Sequence, residues 1–359
     1  MHMRIYKIAV INLGSTSTKI AYYENENCLF KDNIVHTARA LEGFSTIWEQ
    51  FEFRKQAIEA YLKEKGILIS GLDAVVTRGG HTEPIVGGVY RITRKMLEQS
   101  ASEKYGNHAT DLGLKLAYEF SAQGPQAFTV DPPTTDEFEA LARYSGLPQI
   151  KRRSSFHVLN HRAAGRQYAK DSGKDYRDLN LGVIQMGGGI SIAAHKKGRL
   201  VDANNAIDGD GPFSTNRCCS VPIGDLIKMC YSGTYTYPEI RRLINGNAGL
   251  MAYVGENDVK TVEERAAAGD QACGEALDAM CYQIAKEVGA AATVLMGEVD
   301  AIVFTGGIAH SKRIVDSVSR RVSFIAPIAV YPGEYEMQSL GLNTLAALRG
   351  EEEIKELNE

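Results

Sequence analysis

Short apolar blocks alternate with longer segments of helical spacing along this chain. Four blocks of four or five residues, bounded by polar residues, glycine or proline, are typical of buried strands: residues 74–77, 127–130, 301–305 and 328–331. Four longer segments carry apolar residues at helical spacing and predict helices at 44–65, 108–122, 154–170 and 272–296. The alternation predicts an α/β fold in which helices cover mixed sheets.

The same order of elements occurs twice. The first copy starts at Lys7: an apolar strand ends at Gly14, a turn of small residues follows, and two further strands are separated by a polar turn. The second copy starts at Leu181 and has its glycine turn at residues 187–189. Two such starts predict two related domains, although two strand meanders can also resemble each other by chance.

Composition narrows the class of protein. The chain has 359 residues, of which 44% are hydrophobic, and a formal net charge of -4 without a basic cluster, so a nucleic-acid surface is disfavoured. No apolar run approaches the roughly 20 residues of a membrane-spanning helix, and no membrane partner is expected. The N-terminus lacks the cleavage pattern of a signal peptide, and six cysteines without a CxxC pair predict free thiols. We therefore expect a cytoplasmic location.

Three segments have the composition of phosphate-binding turns. In residues 12–19, NLGSTSTK, small residues allow close approach of backbone N–H groups to an anion, but the Walker A pattern is absent. Three consecutive glycines at 187–189 reduce the stability of a strand end, so close approach of a ligand is the better interpretation. The third segment, Gly306-Gly307, follows a predicted strand and precedes a predicted helix.

Further motifs make the pattern specific, and all of them occur in family order along the chain. They resemble the acetate/butyrate kinase family at NLGSTSTK (12–19), Arg78-Gly79-Gly80, HATDLG (108–113), Val130-Asp131-Pro132, SFHVLN (155–160), MGGGIS (186–191), Thr305-Gly306-Gly307 and YPGEYEM (331–337). This resemblance places the chain in the superfamily of sugar kinases, actin and the heat-shock ATPases.

The resemblance implies a two-domain architecture. We expect two duplicated ribonuclease-H-like, actin-like ATPase domains with mixed β-sheets flanked by helices and an interdomain nucleotide cleft. The expected N-terminal domain, on the acid and phosphate side, covers residues 1–152 plus about 335–359, and the expected C-terminal, nucleotide-binding domain covers 153–334. The last helix, 337–348, is expected to pack on the first domain, and the tail from Glu351 to Glu359 has the character of a frayed helix end.

The implied activity is that of a phosphotransferase with a carboxyl group as acceptor. The resemblance predicts reversible transfer between ATP and butyrate, with ADP and an acyl phosphate as products, Mg²⁺ as the metal and a homodimer or higher homo-oligomer as the assembly. Branched or other short-chain acids remain open as substrates. The alternative of a different class is a catalytically weakened nucleotide-binding relative.

The resemblance also carries roles for individual residues. The expected catalytic residues are Arg78, His108, Asp131, Gln185 and Arg217. The expected cofactor-binding residues are Asn12, Gly14, Ser15, Thr16, Thr18, Lys19, Gly187, Gly188, Gly189, Gly306 and Gly307. Asp131 and Glu336 are the expected metal residues, with Glu334 as a substitute for the second. The arginines suit the task because a guanidinium binds carboxylate or phosphate through two parallel hydrogen bonds.

Four positions depart from the family pattern. Gln185 stands where the family usually carries a histidine, and a glutamine amide donates a hydrogen bond without positive charge. The expected cost is about tenfold in rate or less, because charged hydrogen bonds exceed neutral ones by about 1 kcal/mol. Leu13 replaces a proline, Cys218-Cys219 replaces smaller residues, and Tyr335 interrupts an acidic run.

Overall fold

The chain divides into two compact units, which are described separately. The computed structural model describes residues 4–357. The first unit combines the chain up to Asp136 with the chain from Tyr335 onward, and the second covers Glu137–Glu334.

The first unit is built on a mixed sheet. In its described part the sheet has seven strands, in the order β12-β5-β6-β4-β1-β2-β3. Their bounds are β1 (Lys7–Leu13), β2 (Ser17–Glu24), β3 (Asn27–Val35), β4 (Ala74–Thr77), β5 (Val89–Arg91), β6 (Gln126–Val130) and β12 (Ile354–Glu356). The helices are α1 (Ala38–Leu41), α2 (Phe51–Glu64), α3 (Arg94–Ala101), α4 (Asp111–Ser121) and α12 (Glu336–Leu348).

Alternation along β1 distributes its side chains between the two faces of the sheet. Ala9, Ile11 and Leu13 join a buried cluster with residues of α2 and α4. Side chains at the positions between them point to the opposite face. Helix α12 packs against β1, β4 and β6. Residues at the end of β1 are therefore fixed by a core on which several helices pack.

The second unit has a five-stranded sheet in the order β11-β10-β7-β8-β9. The strands are β7 (Asn180–Met186), β8 (Ile190–Lys196), β9 (Arg199–Ala203), β10 (Ala301–Gly306) and β11 (Ile328–Pro332). The helices are α5 (Val158–Ser172), α6 (Ile223–Cys230), α7 (Tyr237–Ile244), α8 (Gly249–Val254), α9 (Val259–Ala267), α10 (Gln271–Val294) and α11 (Lys312–Val322). One face of β7 packs on α10, and the other packs on α5.

The two sheets share one topology. In each sheet, three consecutive strands form an antiparallel meander. Two later strands then extend the sheet beside the first strand of the meander and run parallel to it: β4 and β6 in the first unit, β10 and β11 in the second. The ladder of strands two and three shifts register in both sheets, at Tyr22/Tyr23 and at Ala194/His195. The predicted α/β class and the predicted duplication are confirmed.

The first domain boundary lies earlier in the chain than residue 152. Residues 137–152 fall within the second unit because they bond to it: the Glu137 carboxylate accepts from Leu200 N at 2.9 Å, and Arg152 Nη1 lies 2.8 Å from an oxygen of Asp202. These polar contacts are not visible in the sequence.

Two smaller predictions were wrong. The tail forms strand β12, paired in parallel with β5, and the expected helix end is absent over Glu351–Leu357; the last two residues, 358 and 359, lie outside the described part. The helix predicted from residue 44 begins at Phe51, after a 3₁₀ turn at Trp48–Gln50. In residues 4–357 no helix is long and apolar enough to cross a membrane.

Candidate functional site

The first glycine turn, between β1 and β2, presents open backbone donors. Gly14 N donates to Ser17 O at 2.8 Å and closes the turn, while Ser15 and Thr16 are exposed. Within residues 4–357 the N–H groups of Ser15 and Thr16 donate to no protein group. Two adjacent unpaired amides at an exposed turn are suited to binding an anion.

Strand register places the other residues of this motif. Asn12 and Lys19 are cross-strand partners, so their side chains lie on one face of the sheet. The side chain of Thr18 points to the opposite face from that of Lys19: it is fully buried, and its hydroxyl lies 2.9 Å from His36 Nε2. Thr18 therefore supports the turn from the interior.

A three-residue contact forms beside this turn. Asn12 Nδ2 donates to Glu336 Oε2 at 3.0 Å, and Arg78 Nη1 lies 3.5 Å from Glu336 Oε1. Asn12 is the residue before the last of β1, Arg78 follows β4 and Glu336 begins α12, so three separate segments of the chain meet here. Glu334 belongs to the second unit by the division of the chain. The carboxylate in this contact is that of Glu336.

Asp131 occupies an unusual backbone conformation directly after β6. Its φ is 44°, in the left-handed region that non-glycine residues rarely adopt. The buried side chain accepts from Gly88 N at 2.9 Å, and Asp131 N donates to Gly88 O at 3.1 Å. This two-way contact fixes the carboxylate, at a cost in strain of the order of 1–3 kcal/mol that is common at functional sites.

His108 is a neutral donor in this arrangement. Thr110 N donates to His108 Nδ1 at 3.2 Å, and a backbone N–H can only donate, so the ring proton is on Nε2. Nε2 lies 3.2 Å from Ser15 Oγ, and it can donate there. Burial and the positive charge of Arg78 lower the pKa of His108, which favours the same neutral form.

Asp111 fixes His108 and was not among the predicted site residues. Its buried carboxylate accepts from His108 N at 2.7 Å, from His81 N at 2.6 Å and from Ser100 Oγ at 3.1 Å. Burial acts to raise the pKa of Asp111, but the hydrogen bonds from His81 and the N–H of His108 outweigh it, and the pKa lies below its usual value. The sequence signal was available, because an Asp three residues after the His in HATD matches a local capping pattern.

In the second unit, the glycine turn after β7 accommodates an arginine. A Cβ at Gly189 would stand 2.1 Å from Arg217 Nη1, so only glycine leaves room for this guanidinium. Ser214 Oγ donates to Gly188 O at 2.6 Å and fixes the turn, and Gly187 N donates to Gly189 O at 3.1 Å. The position of the Arg217 guanidinium therefore depends on the absence of a side chain at Gly189.

Arg217 is half-buried and lacks an acidic partner. Its Nη1 donates to Ala206 O at 2.6 Å, and its buried Nε has no partner. Among the described residues no carboxylate lies within salt-bridge distance of Arg217. Burial lowers the pKa of Arg217. A guanidinium in this state is suited to binding an external anion.

Gln185, near the end of β7, is oriented by Asn160. Asn160 Nδ2 donates to Gln185 Oε1 and, at 3.2 Å, to Thr305 Oγ1. The amide nitrogen of Gln185 lies 2.8 Å from the Cβ position of Gly306 and 3.5 Å from that of Gly187. Because its oxygen faces α5, its N–H₂ group is directed to the glycines.

Gly306 ends β10 in a conformation that needs glycine. Gly306 has a φ of 90°, and a Cβ there would stand 2.2 Å from Met186 O. Gly307 faces open space and begins the 3₁₀ turn Gly307–His310.

Gly307, together with Gly187 and Gly188, borders a cavity of about 580 Å³ within the second unit. The N-termini of α9 and α11 also line this cavity. The side chain of Asp258 caps α9 by accepting from Thr261 N, and the side chain of Ser311 caps α11 by accepting from Ile314 N. Asn216 Oδ1 is buried in its lining without a partner. Polar lining residues that the sequence did not single out are Thr215, Asn216, Asn257, Asp258, Lys260, Glu263, His310 and Ser311.

The cysteine pair after Arg217 has a distinct position. Cys218 lines an apolar cavity of about 290 Å³ with residues of α6 and α7. Cys219 is buried with a φ of 48°, and burial raises the pKa of its thiol to about 12. All six cysteines are free.

The residues available for a metal are few. Over residues 4–357 no group of three or more His, Cys, Asp or Glu side chains is arranged to hold a metal ion by itself. Asp131 and Glu336 offer carboxylate oxygens, which are the ligands Mg²⁺ prefers when phosphate oxygens complete its shell. The donor chemistry therefore fits a magnesium ion that arrives with a nucleotide.

Comparison with known proteins defines the class of the chain. The acetokinase family matches residues 140–337. The chain is 48% identical to butyrate kinase 2 of Clostridium acetobutylicum over 351 residues, which cover 98% of this chain and 99% of that protein. It is 46% identical to butyrate kinase 1 of the same organism over 353 residues, which again cover 98% of this chain and 99% of that protein. The crystal structure of Porphyromonas gingivalis acetate kinase covers 96% of this chain and 100% of its own, with a TM-score of 0.79 and 21% identity, which supports the fold.

These matches and the duplicated sheets define an actin-like ATPase fold. The chain belongs to the acetokinase family, which consists of carboxylate kinases that use ATP and ADP.

Proposed function

We propose that this chain catalyses reversible phosphoryl transfer between ATP and butyrate, giving ADP and butanoyl phosphate. The observation that carries this proposal is Arg217, a half-buried guanidinium without a carboxylate partner beside a glycine turn. Identity of 48% over 98% of the chain to a butyrate kinase supports butyrate as the acid.

The chemistry needs positive charge and fixed donors more than a base. A short-chain acid has a pKa of about 4–5 and is ionised at neutral pH, so no proton must be removed before attack. The difficulty lies in bringing this anion to a polyphosphate and in stabilising the charge that spreads over the transferring phosphoryl oxygens. The proposed roles of the residues follow from this requirement.

In the first unit, the open amides of Ser15 and Thr16 bind phosphate oxygens, with Lys19 and Asn12 on the neighbouring strand face. Gly14 closes the turn, and Thr18 supports it from the interior. His108 donates from Nε2 to the transferring phosphoryl group, in the place where Ser15 Oγ now accepts. Its neutral form avoids the cost of a buried charge.

Arg78 contributes charge close to the same turn. It now lies 3.5 Å from Glu336, which partly neutralises it. A phosphoryl group competes with this carboxylate for the guanidinium, since a bidentate arginine–phosphate contact, with two parallel hydrogen bonds, is stronger than a single contact at this distance.

In the second unit, Arg217 binds the carboxylate of the acid. Gln185 donates its amide hydrogens near the reacting oxygens, and Asn160 holds it in that orientation. The glycines at 187–189 and 306–307 line the nucleotide site, and the cavity of about 580 Å³ holds the remainder of ATP.

Magnesium is the proposed metal, with Asp131 and Glu336 as the residues that hold it directly or through water. When bound, it neutralises charge on the phosphate oxygens. Asp131 is fixed by Gly88, and Glu336 is fixed by Asn12. Both carboxylates are thus held before nucleotide arrives.

Location and assembly are part of the proposal. Six free thiols and the use of ATP support a cytoplasmic enzyme. We propose a homodimer or higher homo-oligomer. Helices α6 and α7 expose apolar side chains, including Ile223 at 73% and Tyr237 at 78%. No nucleic acid or membrane partner is proposed.

The test is acyl-phosphate formation with Mg·ATP, trapped by hydroxylamine, across acetate, propionate, butyrate, isobutyrate and isovalerate. We expect turnover to peak at butyrate and to collapse in Arg217→Ala. Arg94→Ala is the matched control, since Arg94 is 85% exposed and pairs only locally with Glu98. A peak at a branched acid would change the substrate. ATP binding without turnover on any acid would favour a weakened nucleotide-binding relative.

A further inference from the structure

Arg54 is buried beneath the first glycine turn. It lies on α2 and is only 1% exposed. Its Nη1 donates to Gly14 O at 2.8 Å, its Nη2 donates to Ser15 O at 2.7 Å, and its Nε donates to Gln50 Oε1 at 3.0 Å. All its hydrogen bonds go to neutral oxygens, and two of them go to the turn itself.

The charge of Arg54 has no acidic partner. In the described chain no carboxylate lies within salt-bridge distance of it. A comparable buried arginine in the second unit, Arg162, is paired with Glu137 at 2.5 Å. Buried charges are normally paired because burial without a partner is costly. An unpaired one, 1% exposed, indicates that an anion belongs nearby.

Peptide geometry connects Arg54 to the open amides. In a trans peptide unit the C=O and the following N–H point in opposite directions. Arg54 holds the carbonyls of Gly14 and Ser15, so it directs the N–H groups of Ser15 and Thr16 away from itself. Those two N–H groups are the open donors of the turn. Polarisation of the held carbonyls also strengthens these donors.

We propose that Arg54 is a positioning residue for phosphate binding: it fixes the two amides of the turn in donating orientation and supplies positive charge behind them. The inference rests on the proposed function for the role of the turn, and it adds a residue that the sequence motifs did not include. Arg54 touches the turn and does not touch the ligand.

A purely structural role is the competing explanation, and ligand selectivity separates the two. Loss of general stability would weaken binding of every nucleotide ligand alike. Loss of amide orientation would weaken ATP and leave adenosine unchanged, because adenosine has no phosphate. Calorimetric titration of the full chain with Mg·ATP and with adenosine measures this difference without any acid substrate.

The variants are Arg54→Met, which keeps volume and removes the donors, and Arg54→Lys, which keeps charge but cannot hold both carbonyls. We expect the Kd for ATP to rise about 10- to 100-fold in Arg54→Met and less in Arg54→Lys, since each amide–phosphate hydrogen bond that loses its orientation is a charged hydrogen bond and is a factor of about ten or more. The Kd for adenosine should stay within about twofold. Arg162→Met is the control for removal of a buried arginine, and it should not change the ratio of the two Kd values.

The proposal is overturned if a folded Arg54→Met binds ATP as the wild type does, or if it loses ATP and adenosine equally. Should Arg54→Met not fold, Arg54→Lys and Gln50→Leu provide the same comparison, and an unchanged ratio in both would overturn it. Failure of the proposed function has a different signature: the wild type would bind ATP more tightly than adenosine but phosphorylate no acid.

Discussion

A methyl group at Gly189 offers a sharp test of the proposed role of Arg217. The Cβ of Gly189→Ala would stand 2.1 Å from Arg217 Nη1 and 3.0 Å from Ala206 O. The guanidinium must therefore move. The Ala206 carbonyl must also shift slightly, but Gly189 itself does not have the positive φ that excludes alanine. The substitution displaces the cation while leaving it in the protein.

The magnitude follows from the hydrogen bonds at risk. A hydrogen bond to a charged group contributes about 1.5–3 kcal/mol, so loss of one bond to the acid lowers kcat/KM about 10- to 150-fold. Stability should fall by no more than about 3 kcal/mol, because the displaced guanidinium gives up one charged hydrogen bond, to Ala206 O, while the φ of Gly189 is compatible with alanine.

The assay is the hydroxylamine trap with butyrate varied, beside urea unfolding of the same preparation. Gly182→Ala is the control within β7, because its Cβ would meet only Ile302 Cγ1 at 4.0 Å. Activity within threefold of the wild type in Gly189→Ala would show that the position of the Arg217 guanidinium does not matter for turnover. A loss of activity that follows a loss of folded protein would also contradict this prediction.

Three further predictions concern other parts of the chain. Burial, with the charge of Arg162, lowers the pKa of His195 to about 3. The neutral imidazole therefore stabilises the fold fully above the unfolded pKa of about 6.5, and this contribution is lost as pH falls toward 3. The free energy of unfolding, measured by urea titration, should drop by about 2 kcal/mol from pH 7 to pH 5, and by less in His195→Gln. Gln185→His should raise kcat by up to about tenfold, and an unchanged or lower kcat would contradict the expected cost of the glutamine. Lys355 Nζ donates to Gly87 O at 2.7 Å, next to Gly88, whose N–H binds the Asp131 carboxylate. Lys355→Met removes the bond to Gly87 and should weaken Mg²⁺ activation several-fold by loosening Asp131; an unchanged Mg²⁺ titration would contradict this link.

The sequence predicted the duplicated sheets because short-range patterns determine them. The glycine turns ending β1 and β7 are local signals, and the apolar blocks of β4 and β10 are read directly from four to six consecutive residues. Strand β12 was missed because it has three residues and exists only through pairing with β5, some 265 residues earlier in the chain. Local patterns carry no information about such a partner.

Residues that support the site were harder to predict than residues that form it. Arg54 looks like an ordinary surface arginine of a helix. Its position between Phe51, Ile58 and Leu62, all on the buried stripe of α2, was the available signal, because a charged residue on an apolar stripe needs a buried partner. The partner is backbone at Gly14, which no side-chain pattern reveals.

The most direct test of the proposed phosphoryl transfer is to run the reaction in the direction of ATP formation. Butanoyl phosphate and Mg·ADP are mixed with the full chain, and ATP is followed by ³¹P NMR for the wild type and for Arg217→Ala. We predict that ATP appears with the wild type, faster than from acetyl phosphate, and that Arg217→Ala loses most of this rate. No ATP from butanoyl phosphate, or an equal rate in Arg217→Ala, would contradict it.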